Sequence, residues 1–266
     1  MMAQLQAQAD NAPVLEVNGL SQRFGGLTAV DNFNVKLMPG KLTGLIGPNG
    51  AGKTTVFNLV SGFYQPSEGQ ILVGGKPTAG FKPHKVTALG VARTFQNIRL
   101  WNDMTVLDNI RVARHYWLGY GFFHSVLRTK RYKEREAEIE REAQELLEVF
   151  DLQRFKDEFP KNLPYGTQRK LEIARALATH PKLLLLDEPA AGLNSHDVKD
   201  LIRLIRWIHE NFDVSIWMIE HHMDVVMELC SHIKVIDFGQ TIAEGTPDEI
   251  RNHPAVITAY LGDDNI

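Results

Sequence analysis

Six stretches of this chain carry apolar runs of strand length: "VLEV" from Val14, "LTGLIG" from Leu42, "QILVGG" from Gln70, "KLLLLDEP" from Lys182, "VSIWMIEH" from Val214 and "IKVIDFG" from Ile233. Each predicts a β-strand. The four leucines Leu183 to Leu186 are apolar without interruption and bounded by charge, the pattern of a parallel strand buried on both faces. Helical patterns lie between several of these runs, so the chain predicts an α/β domain. From Thr105 to about Phe150 the pattern changes. In "KEREAEIEREAQELLEVF", Ile139, Ala143, Leu146, Leu147 and Phe150 fall at helical spacings on one face with charges elsewhere, which predicts a helical lobe inserted into the α/β core.

Composition adds little to this picture but closes some doors. With 44% hydrophobic and 23% charged residues, the chain can build a sizeable core. Its 29 Lys and Arg against 32 Asp and Glu, net −3, give no global basic field, so nucleic acid is not an expected partner. The single cysteine, Cys230, excludes an internal disulfide and fits a reducing compartment, where it is expected to act as a small buried apolar residue. The opening "MMAQLQAQADNAPV" lacks the basic start and apolar stretch of a secretory signal and is expected to be a mobile cytosolic tail over residues 1–12. No run reaches the ~18 apolar residues of a membrane-spanning helix, so any membrane link is expected to pass through a partner. The basic run Arg128, Lys130, Arg131, Lys133 and Arg135 reads as a solvated face; contact with a partner or with anionic lipid is the other reading.

The chemistry starts at "GPNGAGKTT", residues 47 to 55: Gly47, Pro48, Asn49, Gly50, Ala51, Gly52, Lys53, Thr54 and Thr55. Its spacing is that of a P-loop. An apolar strand precedes it, and Val56, Leu59, Val60 and Phe63 follow at helical spacing. Glycines let backbone N–H groups turn inward around phosphates, and the helix start adds partial positive charge. In such a loop Lys53 reaches the β- and γ-phosphates of ATP, and the Thr54 hydroxyl binds Mg²⁺. A P-loop also needs an acid near its metal. Asp187 ends the leucine strand and Glu188 follows it, so one carboxylate can approach Mg²⁺ and the next can deprotonate an attacking water. The alternative for this acidic pair is to cap a following helix.

Taken with "RFGGLTAV", "VARTFQNIRL", "LPYGTQRK", "RKLEIARAL", "LDEPAAGLN" and "IEHH", these residues resemble the ATP-binding cassette (ABC) family. The likeness is to the larger-type ATP-binding subunits of bacterial high-affinity branched-chain amino acid importers and runs from about Val14 to Gly262. It implies a P-loop NTPase of the ABC ATPase type over residues 13–254, a helical subdomain over about 98–165, and a C-terminal tail segment over 255–266. By resemblance, Phe24 stacks on adenine, Gln96 touches the metal and water shell, and His221 is the switch histidine that contacts the γ-phosphate. Strand alternation is expected to send His221 and His222 to opposite sides.

The resemblance also assigns Leu163 to Gln168 as the signature segment, usually Leu-Ser-Gly-Gly-Gln, which caps the γ-phosphate held by the opposite subunit of a head-to-tail dimer. Here Pro164, Tyr165 and Gly166 stand in it, and Pro164 offers neither the hydroxyl nor the N–H of serine. Asn194 stands where many cassettes have aspartate. The implied partners are a second ABC ATPase subunit in a heterodimer, two integral membrane permease subunits and, indirectly, a periplasmic solute-binding protein. The implied location is the cytoplasmic face of the inner membrane. The lobe would lie against the permeases, with some of Tyr116, Trp117, Tyr120, Phe122 and Phe123 docking a cytoplasmic helix. Two other functions are compatible with a P-loop: a cytosolic, non-transport ABC ATPase, and an ATP-binding regulatory module with little hydrolysis.

Overall fold

The computed structural model describes residues 12–115, 119 and 121–261. Its compact units are two, residues 1–96 with 182–266, and residues 97–181. The first unit opens with β1 (Leu15–Phe24), β2 (Leu27–Leu37), β3 (Leu42–Ile46), α1 (Lys53–Val60), β4 (Glu68–Val73), β5 (Lys76–Pro77), α2 (Pro83–Ala88) and β6 (Val91–Arg93). The second unit holds α3 (Val106–Arg114), α4 (Phe122–Val126), α5 (Lys130–Val149) and α6 (Tyr165–Leu177). The chain then returns to the first unit through β7 (Leu183–Asp187), α7 (Ser195–Asn211), β8 (Ser215–Ile219), α8 (Met223–Leu229), β9 (His232–Asp237), β10 (Gln240–Gly245), α9 (Pro247–Arg251) and α10 (Pro254–Leu261).

Two sheets make the first unit. One has the order β10-β9-β3-β8-β7-β6, parallel except for β10; the other is antiparallel, in the order β2-β1-β4-β5. Helix α1, which follows the glycine-rich loop, shares one hydrophobic core with strands of both. Phe57 of α1 lies 4.9 Å from the ring of Trp217 on β8, and Phe33 of β2 stacks on the same indole at 6.4 Å. Every residue of β3, β7 and β8 is buried, which explains why these strands read as continuous apolar runs. The loop before α1 is thus mounted on a buried strand and a buried helix. Cys230 is buried, and burial, with the Glu220 charge nearby, pushes its thiol far up.

In the second unit Ile139, Ala143, Leu147 and Phe150 are buried as the helical spacing requires, while Leu146 is half-buried. The loop leading into α3 is fixed by Asn109, whose amide donates to the carbonyls of Trp101 and Thr105 and whose Oδ1 accepts from Trp101 N at 3.0 Å. Helix α6 belongs to this unit, which reaches residue 181. Within it, Arg169 and Glu172 form a fully buried ion pair at 2.7 Å, and the second oxygen of Glu172 accepts from Arg99 N at 3.2 Å.

The six predicted strands are present, as β1, β3, β4, β7, β8 and β9. No helix among the described residues is long and apolar enough to cross a membrane. Tyr116, Trp117 and Tyr120 lie outside the described residues, as do residues 1–11 of the expected tail and residues 262–266. Over the expected C-terminal tail, helix α10 occupies all of the described length, residues 255–261.

Candidate functional site

The loop from Gly47 to Gly52 leaves β3 and enters α1 with backbone that side chains resist. A Cβ on Gly52, at φ 104°, would sit 2.4 Å from the Ala29 carbonyl oxygen; one on Gly47 would sit 2.0 Å from that of Ile236. Only glycine lets the loop close this tightly against β2 and β9. Lys53 is buried and donates from Nζ to the carbonyls of Gly47, at 2.6 Å, and Pro48, at 2.8 Å. Burial lowers its pKa, against the pull of the Glu188 and Asp187 carboxylates. A cavity of about 480 Å³ opens above, bordered by Phe24, Leu27, residues 49–55, Glu188 and Phe238. Thr54 is exposed to it. Phe24, 43% exposed, rests edge-on against Tyr64 with ring centroids 5.4 Å apart.

Asp187 ends β7 beside β8. Its Oδ2 accepts from Arg93 at 2.6 Å in a buried ion pair, and Arg93 also donates to Asn58 and to Ser61 Oγ, each at 2.8 Å. Its Oδ1 is buried and has no hydrogen-bond partner. A buried acceptor without a partner is expensive. It suits a site where a metal or its water completes the shell, and the oxygens that Asp187, Thr54 and Gln96 carry are of the kind Mg²⁺ takes.

Glu188 holds a left-handed backbone at φ 47°, uncommon for a residue with a side chain, and its N–H donates to Ile219 O at 2.9 Å. Gln96 Nε2 donates to its carboxylate at 2.6 Å. His221 Nδ1 lies 3.7 Å from the same carboxylate. The expected separation of His221 from His222 is wrong: β8 stops at Ile219, alternation no longer applies, and the two rings lie 4.4 Å apart. Among the described residues, His221 is the histidine that approaches Glu188.

Sequence reasoning passed over two residues that organise this site. Arg93 was visible as a charge inside the short apolar run "VARTF". Glu220 follows β8 and is fully buried; its Oε1 accepts from Ala190 N at 2.7 Å, and its Oε2 accepts from His221 N at 3.1 Å and His222 N at 3.3 Å. One carboxylate thereby ties the turn after Glu188 to the histidine loop. Asn194 caps α7 by accepting from His196 N and Asp197 N, a task aspartate does about equally well.

In the second unit, Pro164 is the N-cap of α6 and makes no side-chain cap. The ring of Tyr165 lies over Arg169, which donates to the phenol oxygen at 3.2 Å. Tyr165 and Gly166 open the helix, where backbone N–H groups have no partner within it.

The model of the ABC transporter family matches residues 30–191, and that of the branched-chain amino acid ATP-binding cassette transporter matches residues 240–265. The chain belongs to the ABC transporter ATP-binding family and is an ATPase of that type. It is 46% identical over 251 residues, 94% of its length and 98% of the relative's, to the high-affinity branched-chain amino acid transport ATP-binding protein BraF of Pseudomonas aeruginosa. The same figures hold for LivG of Escherichia coli. A probable LivG of Archaeoglobus fulgidus is 40% identical over 255 residues, covering 94% of this chain and 95% of that one. Among solved structures, the ADP conformation of MJ1267, an ATP-binding cassette of an ABC transporter, superposes with a TM-score of 0.81 at 29% identity, covering 94% of this chain and 99% of that one.

Proposed function

We propose that this chain hydrolyses MgATP to power import of branched-chain or related amino acids through two integral membrane permease subunits. It works at the cytoplasmic face of the inner membrane, beside a second ABC subunit, on solute delivered by a periplasmic binding protein. The observation that carries the chemistry is the Glu188 carboxylate, held at 2.6 Å by Gln96 and bordering the same cavity as the glycine-rich loop. The solute reading is supported by relatives named for branched-chain amino acid transport that match over 94% of the chain.

In this reading the N–H groups of residues 47–55 and the Lys53 ammonium bind the phosphates, and Phe24 stacks on adenine. Thr54, Gln96 and Asp187 would hold Mg²⁺, which when bound neutralises phosphate charge. Glu188 accepts a proton from water as the water oxygen bonds to the γ-phosphorus and the bond to the bridging oxygen breaks, leaving ADP. His221 contacts the γ-phosphate and stabilises its charge. Reconstituting the chain with its permeases in proteoliposomes tests the whole reading. Leucine-loaded binding protein should stimulate ATP hydrolysis; hydrolysis indifferent to any branched-chain amino acid would remove the solute and leave the ATPase.

Pro164 makes the two ATP sites of a heterodimer unequal. One joins this chain's Lys53, Asp187, Glu188 and His221 to the partner's serine-bearing signature. The other joins the partner's P-loop to Pro164, Tyr165 and Gly166, and lacks a hydrogen bond to phosphate worth about 1.5–3 kcal/mol, a factor of about ten to one hundred in rate. Changing the catalytic glutamate to glutamine should therefore cost more activity here than in the partner, and Pro164→Ser should raise turnover at the weaker site. Equal losses from the two glutamate changes would refute the asymmetry.

A further inference from the structure

We propose that residues 123–133, where α4 turns into α5, form a contact surface for an anionic lipid bilayer. From Asn109 to Lys133 the chain contains no Asp or Glu, although it holds Arg111, Arg114, Arg128, Lys130, Arg131 and Lys133, in a protein of net charge −3. The first two of these cations are answered by acids on α5: Arg111 lies 3.1 Å from Glu140, and Arg114 is paired with Glu142. The last four are exposed, and the ion pair that Lys130 makes with Glu134, at 3.7 Å, is itself solvent-facing and weak.

Apolar side chains stand beside these charges. Phe123, Val126 and Leu127 are 78%, 63% and 73% exposed. The turn that joins the two groups is well fixed: Arg128 N donates to Ser125 O and Thr129 N to His124 O, both at 3.2 Å, and His124 Nδ1 lies 3.0 Å from Thr129 Oγ1. A short segment thus presents three water-exposed apolar groups and four cations together.

An anionic headgroup layer with acyl chains beneath it matches both halves of that surface. A polyanion alone leaves the apolar groups in water. A permease's cytoplasmic helix, the occupant expected for the overlapping aromatic stretch that includes Phe123, matches less well, because the cytoplasmic segments of membrane proteins carry an excess of Lys and Arg and repel a basic patch. Three apolar side chains are too few to anchor the chain, so the contact is reversible and orients a subunit that its permeases already hold. The inference uses the transporter reading only to bring the chain near a bilayer; vesicle binding requires neither permease nor solute, so the two readings fail separately.

The test is flotation of the purified full-length chain with phosphatidylcholine vesicles, with and without phosphatidylglycerol. The chain should float with the anionic vesicles and not with the neutral ones. Binding should fade between about 0.1 M and about 1 M salt, as the Debye length falls from about 10 Å to about 3 Å. The double variant Arg131→Gln/Lys133→Gln should lower partitioning by about thirtyfold, at the usual contribution per cation, while ATP binding stays unchanged. Leu127→Trp should show a blue-shifted emission on anionic vesicles. Failure of the chain to float, equal flotation of the double variant, equal binding to neutral vesicles, or capture only by vesicles that contain the permeases would each overturn the proposal, the last by giving the surface to a protein.

Discussion

Replacing Glu188 with glutamine is expected to lower ATP turnover by about 10²–10⁴-fold, the usual worth of a general base, while leaving ATP affinity nearly unchanged. The carboxylate accepts a hydrogen bond from Gln96 at 2.6 Å, and the amide oxygen of glutamine can accept the same bond, so the geometry survives while the proton acceptor is lost. Equilibrium ATP affinity and single-turnover hydrolysis in the assembled transporter separate the two quantities. Wild-type hydrolysis in this variant would remove Glu188 from the chemistry. Lys53→Ala acts at the other end of the proposed reaction: it deletes the charge assigned to the phosphates, so weakened ATP binding should dominate its phenotype.

The second large effect is on stability. Arg93→Met should destabilise the chain by about 3–5 kcal/mol, the range for removing one partner of a buried ion pair, because Asp187 stays behind as an uncompensated charge. Asn58 and Ser61 lose a donor as well. Combining the change with Asp187→Asn should recover part of the loss, since the charge that Arg93 answers is then gone. Urea unfolding without nucleotide, at fixed protein concentration, measures the cycle. A single-variant loss below about 1 kcal/mol, or strict additivity of the pair, would show that the ion pair is not what holds this junction.

How much was legible in the sequence follows from how local each cause is. The glycine-rich loop could be read because its requirements, left-handed or crowded glycines and a helix start, lie within a few consecutive residues. The leucine strand ending in Asp187 could be read because burial on both faces leaves an unbroken apolar run. Strand β2 was missed. Its pairing with β1 shifts register, so alternation holds only over the buried Phe33, Val35 and Leu37, and the buried residue before them, Val30, is three positions back. Arg93 was missed because its partner is 94 residues away, and Glu220 because one of its acceptors serves an amide 30 residues away. The histidine pair was misjudged for a different reason: strand periodicity was extended two and three residues past the last strand residue, Ile219.

The buried carboxylate of Glu220 joins two loops of the site that are thirty residues apart in the chain. Amides from two loops, Ala190 on one side and His221 and His222 on the other, share this one acceptor group. Displacing the Ala190 turn breaks the bond to Oε1 and leaves that oxygen of a fully buried carboxylate without its partner, a cost that couples the two loops. A change that moves the histidine loop therefore also loads the turn after Glu188.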